Sequence, residues 1–229
     1  MIAPGSSPLQ VKFILPALIE ATGPNWRPIK YSLFPPLGLA TLAAYLGPDD
    51  EAAIAYEHVE PLRLDDAPDL AVIQVYIANA CRAYSIAAHY RGKGAFVCLG
   101  GLHATSLPDA AAPHADAIFS EPGEQIFPKF LRDFRAGTPE RVYASTSGRT
   151  LDRLPPIHRD LIRRNHYLVP IRSSNSIMVT RGCPQHCDFC YKHAFFQPAE
   201  ALTPSASTTP SPTSTGCPGR EGSGGRWFR

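Results

Sequence analysis

Short apolar runs alternate with helix-length segments along most of this chain, and that alternation constrains the fold more than any other feature. Five strands are predicted from the apolar runs, at Val11–Leu15, Ala53–Glu57, Leu70–Tyr76, Ala95–Leu99 and Ala115–Phe119. Proline, glycine and helical spacing of apolar residues predict intervening helices at Leu37–Leu46, Ala78–Arg91 and Glu124–Phe134. Strands joined by crossover helices predict a parallel sheet with both faces covered.

The predicted fold class is therefore α/β, with a doubly wound sheet of the flavodoxin-like or Rossmann-like kind in a domain spanning residues 1–145. Sheets of this kind bind ligands at the carboxyl ends of their strands. Gly100 and Gly101 follow a predicted strand, so the backbone there could approach a ligand closely, although a strand-to-helix turn with positive φ also explains them. Thr105 could hydrogen-bond such a ligand, and His103 is either a site residue or a surface histidine.

The composition excludes several classes of partner. A net charge of +2 in 229 residues is too small to indicate nucleic acid or an anionic membrane. No segment approaches the roughly 18 apolar residues of a membrane span, and the amino terminus lacks the features of a signal peptide. We therefore expect no membrane span and a cytoplasmic location. Cys81 and Cys98 lie in apolar surroundings and are predicted to be buried thiols.

Three further cysteines, Cys183, Cys187 and Cys190, form a C-x3-C-x2-C motif after a predicted strand at Ser176–Thr180. The spacing supplies three thiolates from one short loop, which suits a four-iron cluster with one iron left free for chemistry. A structural zinc site is the alternative, and it needs a fourth ligand. Three residues could supply that ligand: His186, His193 and Cys217.

With the aromatic Phe189 before its last cysteine, this motif resembles that of the radical S-adenosylmethionine enzymes. The resemblance implies a 4Fe-4S cluster on Cys183, Cys187 and Cys190, with S-adenosylmethionine on the fourth iron and Phe189 beside the adenine. It implies a 5′-deoxyadenosyl radical that abstracts hydrogen from a small-molecule substrate. It also implies a reductant such as flavodoxin or ferredoxin.

The predicted α/β domain resembles the cobalamin-binding domain that precedes the cluster motif in some members of that superfamily. The stretches that carry this resemblance are Phe34–Leu39, Val72–Tyr76 with Ala83–Tyr84, Leu99–Thr105 and Gly123–Glu124. It implies that Gly100, Gly101, His103 and Thr105 contact cobalamin. The chain departs from many cobalamin domains because it lacks the D-x-H-x-x-G motif whose histidine ligates cobalt. If cobalamin binds, we expect its cobalt not to be held by that histidine.

The carboxyl-terminal part predicts an incomplete second unit. Residues 146–175 are predicted as a linker, residues 176–202 as the first strand and cluster loop of a (β/α) barrel, and residues 203–229 as a disordered Ser/Thr/Pro tail. A full barrel takes roughly 250 residues, so we expect a truncated parent enzyme, either frameshifted near residues 197–202 or ending in a genuine tail. The expected function is a fragment, inactive as it stands, of a cobalamin-dependent radical enzyme that performs methyl transfer or related biosynthesis. The alternatives are a non-catalytic cobalamin-binding module and a zinc-stabilised binding protein.

Overall fold

One parallel sheet organises the part of the protein that the computed structural model describes, which comprises residues 7–18, 35–120, 122–144, 154–162, 180–181, 187–190 and 203–204. Its strands are β1 (Gln10–Leu15), β2 (Glu51–Tyr56), β3 (Leu70–Gln74), β4 (Phe96–Gly100), β5 (Ala117–Phe119) and β6 (Val142–Tyr143). The helices of this domain are α1 (Leu37–Ala43), α2 (Ala80–Gly92), α3 (Leu102–Ser106), α4 (Pro108–Ala111) and α5 (Gly123–Arg135). Short 3₁₀ turns lie at Ile77–Asn79, Ala112–His114 and Arg159–Leu161.

The six strands lie in the order β2-β1-β3-β4-β5-β6, and every neighbouring pair is parallel. The first five follow the flavodoxin-like order, and β6 extends the sheet beside β5. The chain leaves β1 for β2 on one side and returns to β3 on the other, so the strand order reverses between β1 and β3. This confirms the prediction of a doubly wound α/β sheet and fixes its switch point.

Helices cover both faces of the sheet. Neighbouring residues of a strand point to opposite faces, so each strand packs against helices on both sides. Phe13 belongs to a buried cluster that includes residues of α1 and α5, whereas its neighbour Ile14 belongs to one that includes residues of α2, α3 and α4. The first face is rich in aromatic side chains, and Phe119 lies edge-on to Phe130 with ring centroids 5.1 Å apart. Both phenylalanines are buried, so this contact fixes α5 against β5.

The sequence predictions differ from the structure mainly where strands end. β3 stops at Gln74, two residues earlier than predicted, because the amide of Tyr76 donates to the side chain of Asn79 rather than to a strand. The two-residue strand β6 is not predicted, since a pattern of period two cannot be recognised over so short a length. The short helices α3 and α4 are also missing from the prediction.

The two isolated cysteines of the sheet domain have different environments. Cys98 is fully buried in β4, as predicted. The prediction for Cys81 is wrong, because this thiol is exposed. The buried positions of α2 are those of Ala80, Ala83, Ile86, Ala87 and Tyr90, and Cys81 is not among them.

A small antiparallel pair lies outside the main sheet. It joins β7 (Thr180–Arg181) to β8 (Thr203–Pro204). Of the predicted strand at residues 176–180, only Thr180 is described, and residues 205–229 of the predicted tail lie outside the described residues. The rest of the predicted barrel start also lies outside them, except for Arg181 and residues 187–190. None of the described helices has the length and apolar character needed to cross a bilayer.

Candidate functional site

The loops after β1 and β3 meet at the switch point, where a buried asparagine joins them. The side chain of Asn79 is fully buried, and its Nδ2 donates to the carbonyl oxygen of Pro16 at 2.9 Å. Its Oδ1 accepts the backbone N–H of Tyr76 at 2.8 Å. Both loops are therefore held at the carboxyl end of the sheet, which is where doubly wound folds bind ligands.

Local backbone geometry and packing explain why glycine occupies both positions after β4. A Cβ on Gly100 would lie 3.3 Å from the Cβ of Phe119. Gly101 has φ of +100°, and a Cβ there would lie 3.0 Å from the carbonyl oxygen of Val75. Positive φ and close packing thus account for both glycines without a ligand. Their contact with cobalamin stays a prediction.

His103 lies inside the domain and not on its surface. The residue is 7% exposed, and its backbone N–H donates to the carbonyl oxygen of Val75 at 3.1 Å. Its Nε2 shares a 2.8 Å hydrogen bond with the hydroxyl of Tyr84 on α2. Burial lowers the pKa of the His103 imidazole below its usual value. The ring is therefore neutral near pH 7, and its Nδ1 is buried without a hydrogen-bond partner among the described residues.

The Tyr84 ring is positioned by a second histidine. Its ring stacks on that of His114, with centroids 3.9 Å apart and planes 12° from parallel. His114 belongs to the 3₁₀ turn after α4, so the tyrosine connects two segments that follow β4 with helix α2. Tyr84 fixes one nitrogen of His103 and leaves the other for a further contact.

Two hydroxyl groups of α3 also lack a hydrogen-bond partner within the described part of the chain. Thr105 Oγ1 and Ser106 Oγ are buried and make no hydrogen bond with any described residue. Buried polar atoms normally have partners, because an unpaired one costs about 1–3 kcal/mol. Together with Nδ1 of His103, they give the segment after β4 three buried polar atoms that a ligand or water could satisfy.

The described part of the cysteine motif is a tight turn. The backbone N–H of Cys190 donates to the carbonyl oxygen of Cys187 at 2.9 Å. Both cysteines are free and partly exposed, and Phe189 between them is 91% exposed. Cys183 lies outside the described residues. Within the described ranges no group of three or more His, Cys, Asp or Glu side chains forms a metal site, so the cluster ligands stay a prediction.

Several residues at the carboxyl edge of the sheet are not singled out by any sequence motif. Glu57 and His58 follow β2, and Asn79 follows β3. Their positions at or near the carboxyl ends of predicted strands are the sequence signal, because the carboxyl ends of parallel strands share an edge. Tyr84 belongs to a stretch that carries the cobalamin-domain resemblance, but the sequence assigns it no role, since tyrosine on a helix usually belongs to the core.

No protein-family model matches the chain. Bacteriochlorophyllide d C-8(2)-methyltransferase of Chlorobaculum tepidum is 29% identical over 67% of this chain and 35% of its own length. Bacteriochlorophyllide d C-12(1)-methyltransferase of the same organism is 25% identical over 53% of this chain and 27% of its own length. An uncharacterized methyltransferase of Pyrococcus horikoshii is 26% identical over 68% of this chain and 40% of its own length. The chain thus spans between about a quarter and two fifths of these relatives.

A solved structure gives a weaker comparison. The N-terminal domain of a hypothetical protein from Thermotoga maritima aligns with 38% of this chain and 74% of its own length, at 15% identity and a TM-score of 0.31. That score is too low to support any argument, so the fold assignment rests on the strand order observed here. The sequence relatives are consistently named as methyltransferases.

Proposed function

We propose that this chain forms the cofactor-binding part of a radical S-adenosylmethionine methyltransferase. The similarity to proteins named as methyltransferases carries the proposal, since it extends over about two thirds of the chain. The cysteine motif lies on the same chain and supplies the thiols that such chemistry requires. The substrate of the whole enzyme would be a small molecule, and its electron donor would be flavodoxin or ferredoxin.

The carboxyl edge of the sheet fits a bound cobalamin. Three buried atoms there need partners: His103 Nδ1, Thr105 Oγ1 and Ser106 Oγ. Amide and phosphate groups of the cofactor offer both donors and acceptors for such atoms. A neutral His103 could accept or donate at Nδ1, depending on the proton that it shares with Tyr84. These residues would bind and orient the cofactor.

The cysteine turn fits part of a cluster site. Cys187 and Cys190 are partly exposed free thiols on one turn, so an incoming metal can reach them. Cys183 would be the third ligand, and the exposed ring of Phe189 would lie against the adenine of S-adenosylmethionine. When bound, the cluster with S-adenosylmethionine supplies a 5′-deoxyadenosyl radical, and cobalamin supplies a methyl carrier.

Anaerobic reconstitution with iron and sulfide tests this function. The wild-type chain should bind about four irons. Replacing Cys183, Cys187 and Cys190 together by alanine should abolish that iron, whereas replacing the exposed Cys81 by alanine should leave it unchanged. The control separates ligand loss from a general effect of removing a thiol. One zinc and no iron in the reconstituted wild-type chain would contradict the proposal and favour a zinc-stabilised binding protein.

A further inference from the structure

Three consecutive residues after β1 are each held by a side chain from another loop. The carbonyl oxygen of Pro16 accepts from Asn79 Nδ2 at 2.9 Å. The N–H of Ala17 donates to Glu57 Oε2 at 2.9 Å, and the N–H of Leu18 donates to His58 Nε2 at 3.1 Å. Residues 16–18, which we call the β1 loop, are thus bonded to the loops after β2 and β3.

An arginine fixes the orientation of the Glu57 carboxylate. Arg82 on α2 donates from Nε to both oxygens of Glu57, at 3.1 and 3.2 Å, and from Nη2 to Oε1 at 2.5 Å. The Glu57 side chain is only 10% exposed, so a charged partner is needed to offset its burial. A bidentate pair of this kind also sets the orientation of the carboxylate. The oxygen that accepts from Ala17 therefore has a defined position.

The histidine can make its bond only in its neutral form. Leu18 supplies the N–H, so Nε2 of His58 must be the acceptor and the ring proton must lie on Nδ1. An imidazolium carries N–H groups on both nitrogens and has no acceptor. The charge of Glu57 acts on His58, and Glu57 is itself paired with Arg82. The Tyr56 ring lies edge-on to His58 at 5.2 Å.

We propose that Glu57, His58 and Asn79 are positioning residues, which hold the β1 loop in the conformation that receives a corrinoid at the switch point. Neutral His58 makes this arrangement dependent on pH. This inference rests on the proposed function for the identity of the ligand, but the hold on the loop is independent of it. Burial lowers the pKa of His58, against the opposing effect of Glu57, so the ring is neutral near pH 7.

The test measures the β1 loop and the ligand separately in the full chain. Hydrogen exchange of the Leu18 amide reports on the loop, and absorbance titration with hydroxocobalamin reports on the ligand, both at pH 7.5 and pH 5.5. In the wild type, the protection factor of Leu18 and the affinity for hydroxocobalamin should each fall at the lower pH. The limit is about tenfold, the loss of one hydrogen bond, which is reached when His58 is fully protonated.

Two substitutions distinguish a positioning role from a merely structural one. His58→Gln keeps an acceptor but cannot titrate in this range, so it should retain the bond at both pH values and lose the pH dependence. Glu57→Gln keeps an acceptor for Ala17 but loses the ion pair with Arg82, so it should weaken hydroxocobalamin binding at both pH values. His89→Gln, on the exposed side of α2, is the matched control and should behave as the wild type.

Different results would contradict the positioning role of these residues and the binding of cobalamin. Leu18 protection that depends on pH as strongly in His58→Gln as in the wild type would overturn the proposed role of His58. Unchanged hydroxocobalamin affinity in folded His58→Ala and Glu57→Ala variants would overturn the positioning role. A wild-type chain that does not bind hydroxocobalamin at all would contradict the cobalamin part of the proposed function, while Leu18 exchange would still decide whether the β1 loop is held as proposed.

Discussion

The hydroxyl of Tyr84 and Nε2 of His103 lie 2.8 Å apart, and this hydrogen bond joins helix α2 to the segment that follows β4. It gives a buried histidine one fixed partner and leaves its second nitrogen for another group. The bond therefore connects the packed interior of the domain to its proposed ligand site.

Replacing Tyr84 by phenylalanine should destabilise the domain by about 1–3 kcal/mol, because Nε2 of the buried His103 loses its partner. The stack on His114 should survive, since the ring is retained. Urea unfolding of Tyr84→Phe, His103→Ala and the double variant measures the coupling between the two residues. Additive losses in the double variant would show that the hydrogen bond contributes nothing of its own.

Replacing Gly101 by alanine should cost about 1–3 kcal/mol, because φ of +100° is strained for any residue with a Cβ and the added carbon would meet the Val75 carbonyl at 3.0 Å. Gly92 in α2 is the matched control, since no described residue lies within 4 Å of a Cβ there and its φ is not positive. Gly92→Ala should be neutral or slightly stabilising. Equal effects of the two substitutions on urea unfolding would contradict this reading of Gly101.

Breaking the ion pair between Asp50 and Arg135 should cost about 3–5 kcal/mol, because both side chains are nearly buried and Arg135 would lose the carboxylate that accepts two of its hydrogen bonds. Burial alone would raise the pKa of Asp50, but hydrogen bonds from Arg135, Leu9 and Gly47 hold it below its usual value. Asp50→Asn tests this by urea unfolding. The exposed pair of Lys129 and Glu140 is the control, and Glu140→Gln should cost less than about 1 kcal/mol. A small loss in Asp50→Asn would contradict the prediction.

The domain should lose stability as the pH falls below about 6.5, the usual pKa of histidine. Burial lowers the pKa values of His58 and His103 in the folded chain, so the unfolded chain takes up protons first. The contribution of the two neutral rings to the free energy of unfolding is therefore complete above pH 6.5. It is lost as the pH falls through their pKa values in the folded chain. Urea midpoints at pH 7.5 and 5.5 measure it. The double variant His58→Gln and His103→Gln should show a smaller difference, and an unchanged difference would argue against both histidines.

The sheet is predictable from sequence because buried parallel strands are continuous apolar runs, as at Leu70–Gln74. The glycine pair also indicates the turn after β4. The environment of His103 is not predictable in this way, because its burial depends on Tyr84 and Val75, which are distant in sequence. The same holds for Glu57, His58 and Asn79: strand order alone brings them to the β1 loop. Exposure of Cys81 is missed because an alanine-rich helix carries little amphipathic pattern.

The most direct test of the central claim is hydrogen exchange across the whole chain with and without hydroxocobalamin. If the carboxyl edge at the switch point is the cofactor site, added hydroxocobalamin should increase protection at residues 16–18, 75–79 and 101–106. Protection confined to other segments, or a chain that shows no binding and no change in exchange, would contradict the claim.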